Sequence, residues 1–283
     1  MSERPYTLLT LSARPTMRIG ATSVARCSTA EVIALVTRHL GVPDAPALAL
    51  GSVNLDHLHH FRAGRTALGG AGSGPEWLWL ADGAPVAWRG SRLTGTLWPR
   101  VTGADLLDPL LDECVLRRAQ VGFFGGQPDT HRRLAEVWAY RYPQAPAPLF
   151  WAPSRRQVEC PRSSAELAAE IRAAGVRVLI VGLGKPRQEL WIDRHGAATG
   201  AAVLAAFGAA ADFLAGVVNR APERYRRHGM EWMYRLNQEP RRLARRYLVQ
   251  GPPAFAQLRH AVVENTGPDA FTRRGPGLPG ERP

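Results

Sequence analysis

Short apolar segments alternate with longer amphipathic segments through most of the chain. The segment Val176–Val181 is apolar on both faces except at Arg177, a pattern typical of a central parallel strand that helices cover on both sides. Earlier in the chain, Ser28 and Glu31 form a capping-box signature, and the apolar stripe within Ala30–Leu40 predicts a helix. This alternation predicts an α/β fold built on a doubly wound parallel sheet.

The same signals recur along the chain. Ala47–Asn54 is predicted to be a strand, and Thr102 or Asp105 is predicted to begin a helix with an apolar face. A capping-box signature from Ser163 to Glu166 predicts the start of another helix there. Each predicted strand is followed by polar or glycine residues, which is where ligands bind in open α/β sheets.

The turn after Val176–Val181 is a candidate wall of such a site. Gly182 and Gly184 let the backbone turn sharply and approach a ligand, and Gln188 follows where the next helix should begin. A pair of glycines is a weak signal by itself, so an ordinary βα turn with solvated charges is an equally simple interpretation.

Three polar residues follow two other predicted strands. Ser52 and Asn54 stand at the end of one strand, and Asp82 stands at the end of the next, before a glycine. An Asp in this place can be a general base, a metal ligand or only a turn residue, and Asn after a strand is often a turn residue too.

Two further segments suggest contacts with phosphate. Arg100 lies just before a predicted helix and is a candidate partner for a phosphate group. Gly125 and Gly126 follow an apolar strand and precede a helix, so their backbone N–H groups could cradle a diphosphate.

Charge is concentrated near the end of the chain. The 283 residues carry a formal net charge of +12. Residues 219–246 contain nine Arg and three Glu, so this segment carries half of the net charge of the chain. The pattern predicts a basic helical segment with Leu243, Tyr247 and Leu248 on one face and arginines on another, suited to an anionic membrane surface or a diphosphate. A solvated basic face is the alternative.

Composition narrows the remaining classes of protein. The hydrophobic content of 45% is enough for a globular core, and three separated cysteines form no zinc or disulfide pattern, which fits a reducing cytoplasm. No signal peptide is visible, and the Ala- and Gly-rich segment Gly196–Val218 is interpreted as strand, turn and helix rather than a membrane span. The segment from Asp56 to His60 resembles a metal cluster but is better explained as a solvated helix face.

Four regions follow from these patterns. Residues 1–16 form an N-terminal extension, residues 17–218 the α/β domain, residues 219–250 the basic helical appendage, and residues 251–283 a C-terminal tail whose last part should be disordered.

Taken in order, the motifs resemble the WecG/TagA/CpsF glycosyltransferase family over roughly residues 17–250. The segments that carry the resemblance are Asn54, Ala81–Gly83, Arg100–Gly103, Phe124–Gly126, Val181–Glu189, Ala210–Gly216, Arg220–Pro222, Glu231–Leu236 and Glu239–Leu243. One departure from the family pattern, Ala206-Phe207-Gly208 and the alanines before Asp212, leaves the identity of the donor sugar open.

The resemblance implies a Rossmann-like domain with a C-terminal helical appendage and an inverting transfer of a sugar from UDP to a prenyl-diphosphate-linked acceptor. N-acetylmannosamine or glucose is the sugar expected, for a bacterial surface polysaccharide or wall polymer. It further implies an enzyme that sits peripherally on the cytoplasmic face of the membrane, and relatives suggest self-association, with the oligomeric state left open. No DxD motif is present, so arginines rather than a metal are expected to stabilise the leaving diphosphate, and no cofactor beyond the UDP-sugar is expected.

The resemblance also implies roles for particular residues. Asp82 would be the general base, Ser52 and Asn54 would flank it, Arg100 would hold donor phosphates, and Gln188 would touch the donor or the base. In the appendage, the matching arginines would neutralise the leaving diphosphate, and they are Arg235, Arg242 and Arg245.

Two other functions remain open on the sequence. Glycine turns after strands also occur in NAD-dependent oxidoreductases, although a complete GxGxxG with a later acidic residue is absent. The basic charge would also suit a nucleic-acid-binding protein, although no recognised nucleic-acid-binding motif accompanies it.

Overall fold

A computed structural model describes residues 14–43, 45–62, 68, 74–227, 231–238 and 240–264. The strands are β1 (Thr16–Ile19), β2 (Thr22–Ala25), β3 (Leu48–Val53), β4 (Glu76–Ala81), β5 (Val121–Gly125), β6 (Leu149–Trp151), β7 (Val178–Gly182), β8 (Val203–Ala205) and β9 (Val262–Glu264).

Helices connect these strands. They are α1 (Thr29–Leu40), α2 (Leu55–His60), α3 (Ala84–Thr94), α4 (Gly103–Leu116), α5 (Pro128–Arg141), α6 (Arg155–Glu159), α7 (Pro161–Ala173), α8 (Arg187–His195), α9 (Gly208–Leu214), α10 (Glu223–Arg227), α11 (Glu231–Gln238), α12 (Pro240–Ala244) and α13 (Gly251–Gln257). A π-helix, Arg245–Gln250, joins α12 to α13.

The nine strands of the described residues form one sheet in the order β6-β5-β7-β8-β3-β4-β2-β1-β9. All neighbours from β6 to β2 are parallel, whereas β1 runs antiparallel to both β2 and β9. All residues of β3 and β5 are buried, because helices cover both faces of the sheet. The predicted doubly wound, Rossmann-like α/β fold is confirmed.

The chain changes direction between β5 and β7. From β5 it continues outward to β6, whereas from β7 it continues inward to β8, although β5 and β7 are hydrogen-bonded neighbours. The two connections therefore leave in opposite directions and open a crevice at the carboxyl ends of these strands. Ligands bind at such switch points in open α/β sheets.

Helix starts follow the predicted caps in two of three places. Ser28 and Glu31 form the capping box of α1, and Thr102 caps α4 by accepting a hydrogen bond from the Asp105 N–H. The prediction at Ser163 is wrong: α7 begins at Pro161, whose fixed φ and missing N–H suit the first turn.

The C-terminal part differs from the prediction in two ways. Residues 251–264, assigned to a tail, form α13 and β9, and β9 pairs with β1 at the edge of the sheet. Leu243 is buried and Leu248 is 62% exposed, so they do not share a face. The reason is their spacing, because residues five apart stand about 140° apart around the axis of a regular helix. Residues 1–13 and 265–283 lie outside the described residues.

Candidate active site

Asn54 and Asp82 face each other at the carboxyl ends of β3 and β4. Asn54 caps α2, because its Oδ1 accepts a hydrogen bond from the His57 N–H at 3.1 Å. Its Nδ2 donates to Asp82 Oδ2 at 3.0 Å. Since each end of the amide meets a group of the opposite hydrogen-bonding kind, the Asn54 side chain has one possible orientation. It holds the half-buried Asp82 carboxylate in place through one oxygen.

The glycine after Asp82 makes this contact possible. A Cβ at Gly83 would lie 3.2 Å from Cα and Cβ of Asn54, tighter than ordinary packing allows. The Asp82 and Gly83 N–H groups both donate to the Val53 carbonyl, at 3.0 and 3.2 Å. The turn after β4 therefore lies directly against the end of β3.

Arg100 lies in the segment that leads from α3 to α4. The N–H of the next residue, Val101, donates to the Ala81 carbonyl at 2.8 Å, which places this segment beside the end of β4. The Arg100 side chain is 25% exposed, and its Nη1 lies 4.0 Å from Oε2 of Glu231 on α11. Arg100 thus stands between the sheet edge and the appendage.

A second contact joins the appendage to the domain. Asp105 accepts hydrogen bonds from the Thr102 hydroxyl, at 2.7 Å, and from the Arg220 guanidinium. Burial alone would raise the pKa of Asp105, but these hydrogen bonds and the charge of Arg220 lower it below its usual value. The ionised carboxylate therefore fixes the start of the basic segment to the first turn of α4.

Three glycines bring the ends of β5, β7 and the start of α9 together. A Cβ at Gly125 would lie 2.6 Å from the Gly182 carbonyl oxygen, and a Cβ at Gly208 would lie 2.6 Å from Gly182 Cα. Gly125 also has a φ of +92°, which favours glycine. His131 on α5 fixes the turn, because its Nε2 lies 2.7 Å from the Gly125 carbonyl oxygen, which only accepts hydrogen bonds.

A small pocket opens at this junction, in the crevice between β5 and β7. Its lining includes Gly125, Gly126, His131, Gly182 and Asp212. Backbone N–H groups in a glycine turn suit an anion, and a carboxylate suits a ligand with hydroxyl groups. The lining therefore offers groups that suit an anion and groups that suit hydroxyls.

Between β7 and β3 the sheet has a notch. The central strand β8 ends at Ala205, which pairs with Ile180 and Leu50, while β7 and β3 continue for two and three more residues. Lys185, from the loop after β7, spans the notch, and its Nζ donates to the Ser52 carbonyl at 2.8 Å. The loop after β7 is thereby fixed to the end of β3.

The same lysine belongs to a buried network at the start of α8. Lys185 Nζ lies 2.8 Å from Oε1 of Glu189, whose side chain is fully buried. Gln188, which is 4% exposed, donates from Nε2 to Glu189 Oε1 at 3.1 Å and to the Ala206 carbonyl at 2.9 Å. Lys185 and Glu189 were missed as site residues in the sequence analysis, although their i, i+4 spacing is typical of an ion pair on a helix.

The predicted site residues fall into two groups at one edge of the sheet. Ser52, Asn54, Asp82 and Gln188 lie around the notch and the end of β4. Gly125, Gly126 and Gly182 lie around the pocket, and Gly184, with a φ of +74°, forms the loop between them. Asp82 and Gly125 stand four strands apart, about 19 Å at the usual strand spacing. Only an extended ligand could contact both groups.

The appendage arginines are less completely described. Arg245 is exposed on the π-helix. Arg235 lies on α11 and Arg242 on α12, and their side chains lie outside the described residues. The roles predicted for all three remain predictions.

The histidine-rich segment is a helix, but not a solvated one. His57 is fully buried, so the prediction of a solvated face is wrong for this residue. His60 Nε2 lies 3.6 Å from Asp56 Oδ1, one helical turn earlier. Among the described residues, no three His, Cys, Asp or Glu side chains are grouped to hold a metal ion. Nor does any described helix have the length and apolar character needed to cross a bilayer.

Comparison with known protein families gives one match over most of the chain. The sequence model of the Glycosyl transferase WecG/TagA/CpsF family matches residues 17–266, which include α13, β9 and every residue of the two site groups described above.

Proposed function

This chain belongs to the WecG/TagA/CpsF family of glycosyltransferases, and from that premise we propose that it transfers a hexose or N-acetylhexosamine from a UDP-sugar to a prenyl-diphosphate-linked acceptor. The predicted membership and the predicted enzyme class are confirmed by the family match. Donor, acceptor and stereochemistry are the proposed part. The product would enter a bacterial surface polysaccharide or wall polymer.

The observation that carries the proposal is the Asp82 carboxylate fixed by Asn54 at the sheet edge. In the proposed reaction, Asp82 removes the proton from an acceptor hydroxyl as that oxygen attacks C1 of the donor sugar. The new C1–O bond forms while the C1–O bond to the diphosphate breaks, and UDP leaves with the electron pair. A single displacement of this kind inverts the anomeric centre, and a positioned base supports it.

The pocket between β5 and β7 is the proposed site of the nucleotide. Its distance from Asp82 suits the length of a UDP-sugar, with the nucleotide at Gly125 and the transferred sugar near β3 and β4. Glycine-turn N–H groups would contact the diphosphate, and Asp212 would accept hydrogen bonds from ribose hydroxyls. The sheet edge thereby provides one surface for the whole donor.

Arginines are the proposed stabilisers of the leaving diphosphate. Arg100 lies beside the end of β4, and Arg235, Arg242 and Arg245 of the appendage would complete the set. Guanidinium groups bind phosphate oxygens through paired hydrogen bonds and lower the energy of the developing charge. In this proposal the UDP-sugar is a substrate and no further cofactor takes part.

The appendage is also the proposed contact with the membrane that carries the acceptor. Exposed apolar residues occur along it together with exposed arginines, and these are Trp232, Met233, Arg241, Arg245, Leu248 and Val249. Apolar side chains can enter the interface while arginines contact anionic head groups. We therefore propose peripheral association with the cytoplasmic face of the membrane.

Replacing Asp82 with Asn tests the proposal. We expect the rate of sugar transfer to fall roughly a thousandfold, because the amide cannot take up the proton, while UDP binds as it does to the parent protein. Transfer is measured with a panel of UDP-sugars and a prenyl-diphosphate-linked acceptor, and UDP binding by calorimetry.

Asp108→Asn is the matched control. Asp108 is an exposed carboxylate on α4 that accepts a hydrogen bond from Arg141. The Asp108→Asn substitution should leave both sugar transfer and UDP binding unchanged. Full transfer by Asp82→Asn would exclude Asp82 as the base, and a parent protein that binds no UDP or UDP-sugar would overturn the proposed donor.

A further inference from the structure

The end of β3 loses one of its two neighbouring strands before it reaches the site. Up to Leu50, β3 pairs with β8, and the Leu50 carbonyl accepts a hydrogen bond from the Ala206 N–H at 2.9 Å. Strand β8 ends at Ala205, whereas β3 continues to Val53 and leads into Asn54. The last residues of β3 therefore have a neighbouring strand only on the β4 side.

Carbonyl groups alternate in direction along a strand, so one of them faces the side where β8 has ended. The Val53 carbonyl faces β4 and accepts from the Asp82 and Gly83 N–H groups. The Ser52 carbonyl, one residue earlier, faces the opposite side. Lys185 Nζ donates to it at 2.8 Å. A side-chain ammonium thus takes the place in the hydrogen-bond ladder that a backbone N–H of a longer β8 would occupy.

The residue type at this place is informative. Lys185 is the only lysine of the 283 residues, and every other cationic side chain among the 36 Lys and Arg is an arginine. An ammonium is a compact group with three donors, whereas a guanidinium is a planar fork. Here a strand carbonyl and a helix carboxylate converge on one nitrogen atom. The compact lysine head suits this geometry better than the arginine that the chain uses everywhere else.

The ammonium is held in place by a buried ion pair. Lys185 Nζ lies 2.8 Å from Oε1 of Glu189, and the two side chains are 9% and 0% exposed. Glu189 Oε2 is buried and has no hydrogen-bond partner within the described part of the chain. A buried ion pair with an unpaired oxygen is a costly way to stabilise a fold, since apolar side chains of similar volume often do as well. The pair is better explained by what it positions.

Asn54 connects this contact to the proposed base. It is the residue after Val53, and its Nδ2 donates to Asp82 Oδ2 at 3.0 Å. Because Ser52, Val53 and Asn54 are consecutive, a shift at the end of β3 shifts the amide that holds the carboxylate. A displacement of about 1 Å between reacting groups can lower a reaction rate about a hundredfold. The hydrogen bond from Lys185 to the strand therefore bears on the rate of the reaction.

We propose that Lys185, held by Glu189, is a positioning residue for sugar transfer: it replaces β8 as the partner of β3 and thereby keeps Asn54 and Asp82 in the geometry for proton transfer. The inference rests on the proposed function, since it takes Asp82 as the general base. It assigns Lys185 a role through the end of β3 and no contact with donor or acceptor.

Lys185→Met combined with Glu189→Gln tests the proposal. Removing both charges together avoids a buried unpaired carboxylate, and the new amide keeps an oxygen that can accept from Gln188. We expect kcat for sugar transfer to fall about tenfold or more, as for loss of one hydrogen bond from a charged donor. The KM of the UDP-sugar and the dissociation constant of UDP should stay within about twofold, since neither ligand contacts Lys185.

Arg155→Met combined with Glu159→Gln is the matched control. Arg155 and Glu159 form an ion pair of the same spacing, with Nε 2.7 Å from Oε1, but both side chains are exposed on α6. This pair of substitutions should change neither kcat nor UDP binding. Weaker UDP binding with unchanged kcat after the substitutions at 185 and 189 would show that Lys185 acts on the loop that lines the pocket, and would overturn the proposal.

A double-mutant cycle shows whether Lys185 acts through the end of β3. Asn54→Ser keeps a hydroxyl that can cap α2 but is too short to hold the Asp82 carboxylate. In the Asn54→Ser protein, the substitutions at 185 and 189 should lower kcat by no more than about threefold, because the link to the base is already broken. An equal fold-reduction in both proteins would overturn the proposal.

A measurement on the parent protein covers the case in which the variants do not fold. Since Lys185 is the only lysine, isotopic labelling of lysine gives one side-chain ammonium signal in NMR spectra. Its hydrogens should exchange slowly with water near neutral pH, because the ammonium is buried and bonded to two acceptors, whereas free lysine in the same solution exchanges fast. Fast exchange at Lys185 overturns the inference.

Failure of the proposed function is distinguishable from failure of this inference. Full transfer by Asp82→Asn shows that the proposed base is wrong. Loss of transfer in Asp82→Asn together with an unchanged kcat after the substitutions at 185 and 189 overturns only the role of Lys185.

Discussion

At the scale of single residues, His57 was predicted to lie on a solvated helix face but is a buried core residue. Its ring stacks on Phe61 and packs against Trp79, both at 4.6 Å between ring centroids, and its Nε2 lies 3.2 Å from the Thr22 hydroxyl. Burial first, and then the charges of Lys185 and His60, lower its pKa well below the usual 6.5. His57 is therefore a neutral core residue behind the site.

This environment predicts acid sensitivity. As the pH falls below about 6.5, the unfolded chain takes up a proton at His57 before the folded chain does, so folding loses up to about 1.4 kcal/mol per pH unit. His57→Gln cannot take up that proton and should show a smaller loss of unfolding free energy between about pH 7.5 and about pH 5.5, measured by urea denaturation.

The exposed His260 provides the comparison. His260→Gln should keep the pH dependence of the parent protein. If His57→Gln loses as much stability in acid as the parent protein, protonation of His57 does not contribute to acid unfolding.

Some residues of the site could be predicted from the sequence and others could not. Asp82 and Asn54 were predicted at the ends of consecutive strands, and they meet because these strands are parallel neighbours in the sheet. The contact of Lys185 with Ser52 could not be predicted, because its acceptor is a backbone carbonyl 133 residues away and carries no side-chain signal. The burial of His57 depends in part on Trp79 from β4, which a local pattern does not reveal.

At the scale of elements, the junction of α12 and the π-helix decides which side chains reach the surface. Leu243 is buried, whereas Leu248 and Val249 are 62% and 64% exposed. On a regular helix, residues five apart stand about 140° apart around the axis, so Leu243 and Leu248 lie on different faces. The prediction that these two leucines share a face is therefore wrong on helical geometry alone.

These exposed side chains make a testable contribution to membrane binding. Replacing both Leu248 and Val249 with Gln should weaken binding to vesicles that contain anionic lipid by roughly tenfold or more, because their apolar surface would no longer enter the interface. Cosedimentation with vesicles at low and at moderate salt measures the affinity.

Leu116→Gln is the control for this experiment. Leu116 is 80% exposed and is the last residue of α4. The first turn of α4 lies beside the candidate site, so Leu116 lies at the opposite edge of the sheet. It should leave vesicle binding unchanged. An equal loss in both proteins would show that general surface polarity, and not the appendage, governs binding.

At the scale of the whole molecule, the last elements complete the sheet. The strand β9 pairs with β1, and Gln257 donates to the Leu58 carbonyl at 3.4 Å. Ala254, Leu258 and Ala261 are almost fully buried in the core cluster that contains Met17 and Trp98. A three-residue strand after a predicted tail is too short for periodicity to reveal, which is why the sequence analysis missed this closure.

A chain that ends at Gln250 should therefore be less stable than one that ends at Glu264. Burying Leu258 and two alanines contributes roughly 3 kcal/mol or more, and unpairing β1 adds to the loss. Urea denaturation of the two truncated chains measures the difference in unfolding free energy.

Equal stability of the two chains would show that α13 and β9 do not complete the core. The same reasoning applies to a chain that is truncated after Val218 to test the role of the basic segment. Such a chain lacks β9 as well as the appendage, so lost activity would not identify the role of the basic segment, and point substitutions are the better test.

The basic segment is consequently attached to the domain at both of its ends. It leaves the domain at Arg220, held by Asp105, and its far end returns to the sheet at β9. A segment closed at both ends cannot swing freely, so its attachment to a flat surface fixes the tilt of the body that carries it. If the segment lies on the bilayer, the carboxyl edge of the sheet keeps one height and one angle above it, and a lipid-borne acceptor would always arrive from the same side.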